Sequence, residues 1–123
     1  MKIVLVSEER IRLEEGFGPV TIESDRADAQ YSPFHMLASS LGTCVLSVLA
    51  SWAEHARIDA STLAVEIEWR FADAPHRVGD IDMKIIWPSL PPERRTAAER
   101  AAHLCAIHNT LSHPPVIRTE VTT

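Results

Sequence analysis

Residues 32–56 read SPFHMLASSLGTCVLSVLASWAEHA, and the nature of this stretch decides what the rest of the chain can be. From Ala29 to Ala53 there is no Asp, Glu, Lys or Arg, a run long enough to cross a bilayer. Yet Gln30, Ser32, His35, Ser39, Ser40, Thr43, Ser47 and Ser51 interrupt it, and that many polar groups make insertion weak. The stretch is read as a buried helix. Ser32 supplies an N-cap and Pro33 the first helical position, where a missing N–H costs nothing, and the helix runs towards Ala56.

Near the middle of this helix stands Cys44. Each residue advances about 100° around a helix, so Leu37, Leu41 and Val48 fall on one side of the thiol. Ser40, Ser47 and Ser51 fall on the other. Cys44 is therefore expected on the seam between an apolar stripe and a hydroxyl stripe, with Gly42 thinning the helix close by.

Beyond the helix, Leu63, Val65, Ile67, Trp69 and Phe71 alternate with Glu66, Glu68 and Arg70, the period of a half-buried strand. Ile81, Met83, Ile85 and Trp87 repeat the pattern, and the turn formers in 73–80 make the two a hairpin. Lys2–Val6, Arg10–Glu14 and Pro19–Ser24 are shorter strand candidates, and a last strand is expected in Val116–Thr122 after Pro114-Pro115. A second helix is expected from Pro91-Pro92-Glu93 to about Leu111. The predicted order is β-β-β-α-β-β-α-β, an α+β fold in one domain over residues 1–123.

Composition narrows the function. Of 123 residues, 46% are hydrophobic and 24% charged, the balance of a globular chain. A chain this small gains stability from a homodimer interface. With a net charge of −5 and its 12 Lys and Arg residues unclustered, it has no nucleic-acid footprint. The start, MKIVLVSEER, has only four consecutive apolar residues, which is not a signal peptide and predicts a cytoplasmic protein. Two distant cysteines in that compartment are core residues or a redox pair rather than a permanent disulfide.

On a continuous second helix, Cys105 shares its surroundings with Ala98, Ala101, Ala102, His108 and Asn109. Small residues around both cysteines let two helices approach, and a disulfide needs Cα atoms roughly 4.4–6.8 Å apart. A reactive thiol also needs positive potential, and no Lys, Arg or His lies within one turn of Cys44. The candidates are Arg10, Arg12, Arg26 and His108. A metal centre is not expected, because on one helix His103 and Cys105 point about 200° apart, leaving Cys105 and His108 as two ligands at best. No cofactor is expected either.

These residues form a pattern that resembles the OsmC/Ohr family. Ser32-Pro33 followed by Leu41-Gly42-Thr43-Cys44 is similar to its first-cysteine segment, and Ala101-Ala102-His103-Leu104-Cys105 through Asn109-Thr110-Leu111 to its second. The resemblance implies an intertwined homodimer with two central helices and antiparallel β-sheets. It implies a thiol-dependent peroxidase in which Cys44 attacks an organic hydroperoxide and Cys105 resolves the sulfenic acid, with a dithiol or lipoylated reductant closing the cycle. The family's glutamate after the helix-opening proline, which holds a catalytic arginine, is replaced here by Phe34. Its arginine corresponds loosely to Arg10 or Arg12, and the proline after its second cysteine is Ala106. The loss of that glutamate, with Phe34, Met36 and Trp52, leaves an alternative: a non-catalytic dimer that binds a small apolar ligand or senses redox state.

Overall fold

The computed structural model describes the backbone of residues 2–7 and 10–15 and the whole of residues 32–123. The chain divides into two compact units, Met1–Gln30 and Tyr31–Thr123. In the first, β1 (Lys2–Ser7) and β2 (Arg10–Glu15) pair antiparallel, with Val4 opposite Arg12. The strand expected in Pro19–Ser24 lies outside the described residues.

The second unit is built around α1 (Pro33–Ala56). Its start is the one the sequence dictates: the Ser32 hydroxyl accepts the His35 N–H at 3.3 Å, and Pro33 stands in the first turn. Its end is a residue in the left-handed region, Arg57 at φ 56°, whose N–H bonds back to the carbonyls of Ala53 and Glu54. Leu41, Val45, Leu49 and Ala53, four residues apart, make the buried stripe. That stripe joins Trp87, Ala98, Ala101, Ala102 and Cys105 in the core. The helix is long and apolar enough to cross a membrane, but its most apolar face is committed to this core.

The hairpin follows: β3 (Ala64–Ala72) and β4 (Arg77–Ile86) pair antiparallel, with Ile67 opposite Met83 and Trp69 opposite Ile81. Alternation holds up to Arg70 and then changes phase. The register shifts there, so that Gly79 is the extra residue of a bulge between Val78 and Asp80. Phe71, expected on the inner face, is 47% exposed.

Two expectations need correction. The single second helix is broken into a 3-10 turn (Pro92–Arg94), α2 (Arg95–Ala102) and α3 (Ala106–Ser112), giving three α-helices among the described residues instead of two. The break occurs because Cys105 takes an extended conformation (φ −60°, ψ 124°) and its sulfur accepts the His108 N–H at 3.4 Å. It acts as an N-cap. The predicted last strand is also absent: residues 113–123 carry no regular structure, and Val116, Ile117 and Val121 are 75%, 84% and 84% exposed. β-propensity alone makes no strand; a segment needs an edge to pair with.

Candidate thiol site

Cys44 lies on α1 as the wheel requires. It is half-buried, one turn after buried Leu41, while Ser40, Ser47 and Ser51 are exposed. Ser47 turns its hydroxyl to the Thr43 carbonyl at 2.9 Å, so the hydroxyl stripe satisfies itself. Gly42 is buried but faces β3: an added Cβ would meet the Ile67 Cδ1 at 3.0 Å. Its small size serves the sheet rather than the thiol.

α2 brings the second cysteine to the first. Ala98, Ala101 and Ala102 are buried, and their size lets α2 pack closely against α1. The chain then breaks, and Cys105 is fully buried at the break. Both cysteines are free thiols, and they hydrogen-bond to each other.

The pair is electrostatically unequal. Burial pushes the Cys44 thiol up, but hydrogen bonds from the Cys105 thiol and the backbone amides of Ile107 and Ala106 together outweigh it, and its pKa falls below 9.0. Burial pushes Cys105 up, and its bond to Cys44 pushes it further in the same direction. The amide bonds from His108 and Ile107 to Cys105 do not reverse this. Ionisation is thus easier at Cys44 than at Cys105, whose S–H is the donor between the two sulfurs. Chemically this sets a thiol that ionises more readily than usual beside one that ionises less readily.

Of the candidates for positive potential, His108 adjoins Cys105 through its backbone, and its ring stacks on His103 with centroids 5.2 Å apart. Arg10 lies on β2 opposite Ser7, and Arg12 opposite Val4, in the other unit where only the backbone is described. Arg26 lies outside the described residues. Sequence reasoning missed the amides of Ala106 and Ile107. Only the helix break exposes them, and neither glycine nor proline marks that break. Where the resemblance places a glutamate, the Phe34 ring packs edge-on against Phe71 at 4.8 Å. Among the described residues no cluster of three His, Cys, Asp or Glu could hold a metal ion.

The family model for OsmC-like proteins matches residues 24–120. The chain belongs to that family. Two solved structures share the OsmC-like fold. One is a Psychrobacter arcticus 273-4 protein described as an osmotic stress induced and detoxification response protein: 24% identity, TM-score 0.62, covering 68% of this chain and 62% of that one. The other is an OsmC-like hydroperoxide resistance protein of Jannaschia sp. CCS1: 23% identity, TM-score 0.60, covering 81% and 72%. This OsmC-like chain therefore spans less than two thirds of the first of these proteins. No curated protein matches the sequence.

Proposed function

We propose that this OsmC-like protein is a cytoplasmic, homodimeric thiol peroxidase that reduces organic hydroperoxides through Cys44 and Cys105. What supports the proposal is the unequal thiol pair: two backbone amides and the Cys105 thiol favour ionisation of Cys44, while burial and the bond to Cys44 disfavour ionisation of Cys105. The Cys44 thiolate attacks the terminal peroxide oxygen; an S–O bond forms and the O–O bond breaks. Sulfur gives up two electrons, and the departing alkoxide takes up the proton that the thiol released, leaving as alcohol. The Cys105 sulfur then displaces the sulfenic oxygen, which leaves as water, and the disulfide is reduced by a dithiol such as a lipoyl group. Arg10 and Arg12 are the arginines assigned to add to the positive potential.

The test is cumene hydroperoxide consumption with dihydrolipoamide or dithiothreitol. Cys44→Ser abolishes turnover. Cys105→Ser permits one turnover per subunit and leaves a sulfenic acid that dimedone traps. Arg10→Ala and Arg12→Ala each slow the peroxide step. Peroxide consumption independent of Cys44, or none with any dithiol, sinks the proposal.

One observation favours a second reading. Phe34 is occupied by a ring contact where the resemblance implies a charge pair, which suits a dimer that binds an apolar ligand without turnover. Native mass spectrometry showing a co-purified ligand in a protein inert to peroxide would select it.

A further inference from the structure

α3 is weakly held. It has seven residues, none of them buried, whereas α1 and α2 each bury a stripe. A helix that short is marginal without packing. Between α3 and β4 lies a cavity of about 390 Å³, with Leu41 of α1, Ile81 and Met83 of β4, and His108 and Leu111 of α3 among its lining residues. On that side the helix lacks the close packing that holds core elements in place. It also carries a buried polar atom with no hydrogen-bond partner among the described residues, His108 Nδ1. Such an atom favours any state in which water reaches it.

Besides the side chain of Ile107, which packs on the core, what ties α3 down is sulfur. The amides of Ala106 and Ile107 bond to the Cys44 sulfur, and the His108 N–H bonds to the Cys105 sulfur at 3.4 Å. These residues open the helix, and their N–H groups have no acceptor within it. A disulfide between the two cysteines loosens all of these ties. Neither sulfur then carries charge, and a neutral sulfur is a weak acceptor. Two hydrogen-bonded sulfurs must also approach before they join. Cys44 cannot yield, because it stands on a 24-residue helix beside buried Leu41 and Val45. Cys105 can: its extended backbone (φ −60°, ψ 124°) lies between α2 and α3, and its movement takes the capping sulfur away from the His108 N–H.

We propose that α3 is a redox-operated latch, docked while Cys105 is a thiol and released when Cys44 and Cys105 join, and that its release admits a dithiol to the Cys105 sulfur. That sulfur is fully buried in the reduced protein, and α3 begins at the next residue. Joining the cysteines removes two electrons and two protons from the pair; a hydroperoxide takes up both and is divided into alcohol and water. The dithiol returns two electrons and two protons and is itself left as a disulfide. The inference deepens the peroxidase reading and rests on it for the oxidant. The latch itself depends only on the disulfide.

Diamide, a two-electron thiol oxidant that ends as its hydrazine, forms the disulfide in the full chain without peroxide. Backbone hydrogen exchange is then compared between the reduced and the oxidised protein. The Asn109 N–H bonds to the Cys105 carbonyl at 3.0 Å, and the His113 N–H to that of Asn109 at 2.8 Å. Both exchange about tenfold faster after oxidation, as when a short helix opens locally. Amides of α1 and of the β3–β4 hairpin keep their rates, and dithiothreitol reverses the effect. Cys44→Ser, in which this disulfide cannot form, exchanges alike with and without diamide. Asn109→Ala combined with Thr110→Ala, at exposed positions of α3, raises helix propensity and slows reduction of the disulfide by dihydrolipoamide about fivefold. Alkylation of Cys44 in the reduced double variant keeps its rate. Failure of diamide to join the two cysteines within one chain, or equal protection of α3 in both states, overturns the inference. A reduction rate that the double variant leaves unaltered overturns the admission of the dithiol. Release of α3 by diamide in a protein that never consumes peroxide defeats only the peroxidase reading. Peroxide turnover with α3 equally protected throughout defeats only the latch.

Discussion

Cys105 does two things for Cys44: its thiol hydrogen-bonds the Cys44 sulfur, and by capping α3 it presents the amides of Ala106 and Ile107 to the same sulfur. The two contributions can be separated by choosing the replacement. Serine keeps a donor and is a favoured N-cap, whereas alanine keeps neither. The sign follows from the direction of the shift. Cys44 ionises below 9.0, so its alkylation rate levels off at a lower pH than that of an ordinary thiol. Cys105→Ala moves that profile to higher pH and slows alkylation at neutral pH; Cys105→Ser moves it less. Iodoacetamide kinetics against pH, with thiolate absorbance as a check, measure both. Superimposable profiles for the two variants would show that neither the donor nor the cap matters.

Ala106 isolates the backbone contribution. It is the first residue of α3, a position where proline is well tolerated because its fixed φ suits a helix start. Ala106→Pro therefore keeps the helix and deletes one amide donor to Cys44. Hydrogen bonds to charged groups contribute about 1.5–3 kcal/mol, so neutral-pH alkylation of Cys44 slows about tenfold while circular dichroism is unchanged. An unaltered rate would assign the lowered pKa to the remaining donors.

Much of this site was legible beforehand. Ser32-Pro33 fixed the start of α1, and the placement of Leu41, Ser40 and Ser47 around Cys44 follows from the helical period alone. The interruption at Cys105 was not legible. Ala98, Ala101, Ala102 and Cys105 keep an unbroken helical stripe, and cysteine is not among the usual N-caps, so periodicity continued the helix through a point where a sulfur–amide bond ends it. A sequence shows cationic side chains, whereas the amides of Ala106 and Ile107 that lower the Cys44 pKa have no letter in it. The C-terminal segment failed for another reason. Val116, Ile117 and Val121 have strand propensity, but pairing is a property of two segments, and within this chain the segment stays unpaired.

The bulge in β4 makes Gly79 irreplaceable where Gly42 is not. A Cβ on Gly79 would stand 2.6 Å from the Ala72 Cβ and 3.5 Å from the Ala72 nitrogen. Both carbons are fixed to backbone, so the hairpin itself must open, at about 1–3 kcal/mol for an overpacked contact. A Cβ on Gly42 would meet only the far end of the Ile67 side chain, which can turn aside. Replacing helical glycine by alanine gains about 1 kcal/mol of propensity. Urea unfolding should therefore place Gly79→Ala clearly below the parent and Gly42→Ala level with it or above. The reverse order would mean that the bulge is looser than its register implies.

The homodimer in the proposed function has its own test at the C-terminus. Pro114-Pro115 ends the helical region, and Val116, Ile117 and Val121 follow with three quarters or more of their surface exposed. Branched apolar residues in an unpaired segment suit addition to a sheet edge of a second copy, where backbone bonding and burial come together. If they do so, a charge at Ile117 must be desolvated on association, while in the single chain it meets only solvent. Ile117→Asp therefore leaves the unfolding of an isolated subunit unchanged and shifts the sedimentation profile from dimer towards monomer. Val116→Asp, on the opposite face of an extended segment, shifts it to a different extent. A parent protein that sediments as a monomer, or an Ile117→Asp variant with an unaltered dimer, would remove the segment from any subunit interface.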